Sequence, residues 1–185
     1  KPCSLLGDKL TGKSLDNRVG VVCLLELARR LSEKRPEIKV VLALTAQEEL
    51  GCRGAKTAAF SVRPNEAIAI DVTFGNAPDI ESIHTCVMGG GAMVGISPVL
   101  CRDISDKMID TAKQNNIKYD TEIMSERTGT DSDVISVAGA GIKTGLLSVP
   151  IRNMHTPAEI VNIKDIVAAC DILEKYILNG GIKNV

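Results

Sequence analysis

Three short, nearly continuous apolar runs constrain this chain most: IKVVLALT at 38–45, EAIAIDV at 66–72 and IKTGLLSVP at 142–150. Runs of four to eight apolar residues bounded by polar turns read as strands covered on both faces. Helical patterns separate them. Leu24, Leu27, Ala28 and Leu31 share one face of a helix expected over 19–33. Ile104, Met108 and Ala112 do so over 104–115, and Ile166, Cys170, Leu173 and Ile177 over 163–178. A short helix is expected over 55–60, an edge strand over 118–124, a short helix over 131–138 and a further strand over 83–88. The first dozen residues read as a strand and turn. Thr156 and Glu159, with Pro157 between them, follow a capping-box pattern. Strands alternating with helices predict an α/β fold, a partial doubly wound sheet with helices on both faces. Such sheets bind ligands just beyond the carboxyl ends of their strands.

With 185 residues, 44% of them hydrophobic, the chain can bury a core of one domain. Two Phe, two Tyr and no Trp make that core aliphatic. Base-stacking platforms are therefore not expected, and a net charge of −1 without a basic stripe argues against nucleic acid or an anionic membrane as partner. No signal peptide and no membrane-spanning run are evident, and a cytoplasmic location is expected. The six cysteines, Cys3, Cys23, Cys52, Cys86, Cys101 and Cys170, form no CxxC pair. They read as reduced, mostly buried thiols rather than a zinc motif.

The acids fall at element ends. Glu48 and Glu49 follow the first apolar run, Asp71 ends the second, His155 lies just past the third, and Asp16 precedes a helix. Each has a simpler reading. Asp16 can cap the helix, unless Asn17 does so. Adjacent glutamates are commonly solvated surface charge. His155 can be structural. Asp71 is harder to dismiss, because a charge at the end of a buried strand needs a neutralising partner. Taken together, carboxylates and one imidazole on one rim form a ligand set suited to Zn²⁺, Co²⁺ or Mn²⁺ in a hydrolytic site. The Gly89–Gly91 run lacks the rest of a phosphate-binding loop and reads as a turn. His84 falls in a strand candidate and reads as structural. GTDSD, at 129–133, reads as an Asp-capped helix start, with a substrate-positioning role as the alternative.

The segments KSLDNRVG, LTAQEELGCRGA, AIAIDVTFGNAPD and RNMHTPAE, in that order, resemble the signatures of a two-metal aminopeptidase family. It includes glutamyl, deblocking and tetrahedral aminopeptidases, and some relatives carry the label endoglucanase or cellulase. The resemblance implies a zinc-exopeptidase catalytic domain acting on peptides. Asp16 would bridge two divalent ions, Glu49 and His155 would complete one, Asp71 would bind the other, and Glu48 would be the general base. It also implies that residues 1–185 form the carboxy-terminal part of one catalytic domain. Family members begin with a segment carrying a metal-binding His-x-Asp motif and insert a β-rich assembly domain. The only histidines here are His84 and His155, so the second ion lacks an expected imidazole. A fragment, one piece of a split protein and a degenerate paralogue are the readings this leaves, and Lys at position 1 fits a chain that starts earlier. Homo-oligomerisation or association with the missing half is expected. Asn153 stands where relatives often have an aromatic. The rival readings are a non-catalytic metal-binding or assembly module and a glycoside hydrolase, the second poorly served by so few aromatics.

Overall fold

A computed structural model of the chain describes residues 1–78 and 86–182. Its elements in order are β1 (Cys3–Leu5), β2 (Lys9–Gly12), α1 (Leu15–Lys34), α2 (Arg53–Val62), β3 (Glu66–Phe74), β4 (Ala92–Ile96), α3 (Arg102–Gln114), β5 (Tyr119–Ile123), α4 (Ser132–Ile135), β6 (Lys143–Arg152), β7 (Glu159–Asn162) and α5 (Ile163–Leu178). β6 is the spine of a seven-stranded sheet. Along one edge it pairs in parallel with β3, from Glu66↔Lys143 to Phe74↔Ile151. Along the other it meets β4 and then β7, both antiparallel. β5 runs parallel to β4 at one margin, while β2 and β1 extend the sheet beyond β7.

β6 is buried along almost its whole length, and its alternation divides the core. Leu147, Val149 and Ile151 face a large cluster with Leu27 of α1, Ile104 and Met108 of α3, and Ile172 of α5. Leu146 belongs to a second, smaller cluster with Ala69 and Leu100. α1 and α3 each pack on α5, whereas α2 packs on α4, which touches β3 and β6. Close approach explains Gly145: a Cβ there would stand 2.4 Å from Ile104 Cγ2. Leu147→Ala removes a fully buried side chain from the larger cluster. It is expected to cost about 2–5 kcal/mol of stability, read as a lower urea midpoint at unchanged slope. α1 and α5 are also joined by charge, since Arg30 Nη1 lies 3.0 Å from the buried Glu174 Oε2 and Lys34 also contacts Glu174.

The structure departs from the sequence reading in several places. Residues 38–45 form no ladder among the described residues, and Val41 and Leu44 are exposed. An apolar run becomes a strand only where a neighbouring edge comes within about 4.8 Å. Here a groove of about 340 Å³ separates the segment from Ile68 and Ile70 of β3. Ala28 faces solvent, and Cys23 takes its place on the buried face of α1. Thr156 starts no helix; Glu159 opens strand β7 instead. The expected α/β fold is present, in a mixed sheet: among the described strand pairs β3–β6 and β4–β5 are parallel and the rest antiparallel. The six thiols are all free, but only Cys23 and Cys170 are buried. Residues 83–85 of the strand expected over 83–88, His84 included, lie outside the described residues. None of the described helices is long and apolar enough to cross a membrane.

Candidate metal centre

Two loops and a helix start bring the acids together. Asp16 lies at the entrance of α1 with non-helical backbone, φ −77° and ψ 113°, and the Asp16–Asn17 peptide is cis. Asn17 caps the helix: its Oδ1 accepts from Gly20 N at 2.8 Å. Asp16 is thereby released from capping, and its largely buried carboxylate faces His155. Glu49 sits in the turn after residues 38–45, and His155 in the loop after β6 with φ 62°. His155 Nε2 lies 3.2 Å from Asp16 Oδ2 and 3.3 Å from Glu49 Oε1. One donor atom from each of the three lies within 4.8 Å of the others. Lys13, Ser14, Thr156 and Pro157 complete an open cavity of about 290 Å³ around them.

The other expected residues stand beside this group rather than in it. Asp71, three residues before the end of β3, accepts from Asn17 Nδ2 at 3.1 Å and from Val72 N at 2.9 Å. Glu48 falls in a second group with Cys52 and Asp131. The Cys52 thiol donates to Glu48 Oε1 at 3.5 Å, and burial pushes that thiol up to about 12, so it stays protonated. Asp131 does not cap α4; its Oδ2 accepts from Thr45 Oγ1 at 2.6 Å. Asp133 binds the preceding turn instead, through Thr128 N and Gly129 N. The GTDSD segment therefore delivers an acid to the site. The Gly89–Gly91 turn is held by Asp165, which accepts from both Gly89 N and Gly91 N at 2.8 Å. A carboxylate thus fills the place that a phosphate would need.

The charges do not balance among themselves. Burial, then the nearby Glu49, raises Asp16 to about 6, with His155 opposing. Burial raises Asp71 to about 7, and Glu48, Asp16 and Asp131 add to the effect against the Val72 amide. Burial also raises Glu48. Crowded carboxylates with an imidazole among them gain most from divalent cations, so the donor chemistry fits a metal centre. In metal-free protein the sign follows from linkage. The folded Asp71 keeps its proton to higher pH than the unfolded one, so its contribution to stability falls as pH rises from about 4 to about 7. Asp71→Asn keeps an acceptor for Asn17 and Val72 but no charge. Metal-free Asp71→Asn is expected to melt above the parent at pH 8 and level with it near pH 4, by calorimetry in chelator.

Sequence reasoning missed Glu159 and Cys52 as members of the site, and gave Asp131, within GTDSD, a role near it only as the alternative to a helix cap. Glu159 and Cys52 lay inside quoted motifs, but only the folded loops show what they touch.

The model of the M42 glutamyl aminopeptidase family matches residues 1–172, and the chain belongs to that family. It is 38% identical over 176 residues to an Acetivibrio thermocellus protein provisionally named an aminopeptidase, covering 94% of this chain and 52% of the relative. It is 33% identical over 152 residues to the lysyl aminopeptidase of Pyrococcus furiosus, covering 82% and 43%. The fold superposes on an aminopeptidase from the archaeon Desulfurococcus kamchatkensis with a TM-score of 0.91 at 28% identity, over 100% of this chain and 55% of that one. A Pyrococcus horikoshii TET peptidase, described as assembling into a tetrahedron or a large octahedral shell, gives 0.80 at 30% identity, over 96% and 52%. The chain thus spans about half the length of the relatives it matches.

Proposed function

We propose that this chain carries the metal-holding part of an aminopeptidase that removes amino-terminal residues from peptides. The observation that carries the reading is the meeting of Asp16, Glu49 and His155, with Glu48 on the adjoining turn. Asp16, Glu49 and His155 would hold one divalent ion, and Asp16 with Asp71 would hold a second. Zinc and cobalt suit the donors best, and manganese is compatible. Such ions lower the pKa of a bound water and polarise a carbonyl. Glu48 keeps its carboxylate free of the Asp16–Glu49–His155 group and takes a proton from the attacking water. The adjacent glutamates thereby divide the work of ligand and base.

Among the described residues no second imidazole joins the site, and another polypeptide segment would complete the second ion's ligands. The open groove between residues 38–45 and β3 supports that reading, because it ends at Glu48, Asp71 and Asp131. A strand laid there would cover apolar surface and meet unpaired backbone on both sides. We propose that the half present in the longer relatives occupies it, as part of the same polypeptide or as a second chain. TET relatives form large shells, and we extend homo-oligomerisation to the assembled protein. A cytoplasmic location accords with six free thiols.

Release of amino acids from a panel of amino-acid amides tests the reading, on the chain alone and on the assembly isolated from its native source. Turnover that disappears in chelator and returns with zinc or cobalt is expected of the assembly. A metal-loaded assembly that leaves every amide intact would contradict it and favour a non-catalytic metal-binding module.

A further inference from the structure

The two loops that carry Asp16 and His155 come from distant parts of the chain and share no backbone hydrogen bond among the described residues. One buried side chain ties them together. Glu159 is 2% exposed, at the first position of β7. Its place is set by the β2–β7 ladder, where Glu159 stands opposite Gly12, three residues before Leu15. From there Oε2 accepts from Leu15 N and, at 3.2 Å, from Asp16 N. Oε1 accepts from His155 N at 3.0 Å. Every one of these contacts is to main chain at or beside a metal-ligating residue.

The backbone on both sides needs such support. Ser14 has φ 55°, Asn153 φ 55° and His155 φ 62°, all in the left-handed region that non-glycine residues occupy at a cost. The side chains of Glu49 and His155 are themselves largely exposed, at 59% and 61%. Packing alone does not fix the imidazole, so its position follows from its own main chain.

We propose that Glu159 is a positioning residue for the metal centre, a clamp that sets the distance between Asp16 and His155 before any ion binds. The proposal rests on the reading of Asp16, Glu49 and His155 as ligands. A carboxylate is the one side chain of this length that accepts on both ends. An amide of the same shape offers an acceptor at one end and an NH₂ at the other. In Glu159→Gln that NH₂ faces either His155 N or the Leu15 and Asp16 amides, and one loop is released. Losses of this kind behind a ligand typically weaken metal binding about 10- to 100-fold.

The test is zinc affinity of the chain, measured by competition with a chromophoric chelator. Glu159→Gln is expected to raise the Kd about 10- to 100-fold. In metal-free protein it should also speed hydrogen exchange at the Asp16 or His155 amide. Glu174→Gln serves as the comparison. It alters an equally buried carboxylate that contacts Arg30 and Lys34, so it should lower stability and leave zinc affinity unchanged. If Glu159→Gln does not fold, Glu159→Asp is measured. Its shorter arm spans only one loop, and the same weakening is expected. A Glu159 variant that binds zinc as tightly as the parent, with its stability lowered like that of Glu174→Gln, overturns the proposal and leaves Glu159 a structural acid. A parent chain that takes up no zinc contradicts the ligand reading itself, and the clamp falls with it.

Discussion

Glu48→Gln in the assembled protein is expected to lower kcat by about 10²- to 10⁴-fold, the range of a general base, with KM little changed. The substitution keeps the shape of the side chain and an oxygen to accept from the Cys52 thiol. What it removes is the ability to take a proton. Glu48 is not among the residues that meet around His155, so zinc content should stay at the parent level. Burial and the neighbouring acids already raise the pKa of Glu48, which moves it toward the value of a useful base at neutral pH. Amide hydrolysis at saturating substrate, with metal analysis of the same sample, checks both halves. Loss of zinc together with activity would make Glu48 a ligand and end its assignment as base.

Asp16→Ala should have a larger effect on metal than any other single change. Its carboxylate faces His155 directly, interacts with Glu49 and contributes to the raised pKa of Asp71. A residue shared between two ions takes both away when it is removed, so zinc content should fall to background and turnover with it. The helix itself should survive, because Asn17 rather than Asp16 holds the Gly20 amide. Far-UV circular dichroism close to that of the parent is the accompanying observation. Full zinc content in Asp16→Ala would return Asp16 to a local structural role.

Much of the fold was legible because period and burial coincide where tertiary context agrees with local pattern. α5 runs over Ile163–Leu178, the expected 163–178, and Ile104, Met108 and Ala112 are fully buried along one face of α3. The β3–β6 pair, in which β6 is the spine of the sheet, came from two apolar runs that each found a neighbour. The run at 38–45 has the same composition, but no ladder partner lies beside it among the described residues. Composition reports that a segment can be a strand; only an adjacent edge makes it one. β4 and β7 escaped notice for a different reason. They are short, and a five-residue AMVGI or a four-residue EIVN carries too few positions for a period to emerge.

The site divides in the same way. Acids at the ends of strands were visible because a charge next to a buried run is costly, and Asp16, Glu49 and His155 do converge. Glu159 was hidden by a local pattern of equal plausibility: a Thr followed three residues later by Glu resembles a helix start. Its partners, Leu15 and Asp16, lie more than 140 residues away in sequence. Asp131 and Cys52 join Glu48 through loop geometry alone.

Zinc content per chain decides whether Asp16, Glu49 and His155 hold an ion. The parent and Asp16→Ala would be stripped with chelator, reloaded with zinc, freed of excess and analysed by elemental mass spectrometry. At least one tightly held ion per parent chain and none in Asp16→Ala are expected. A parent chain without zinc, or an Asp16→Ala variant that keeps it, would mean that these three residues do not form the metal centre.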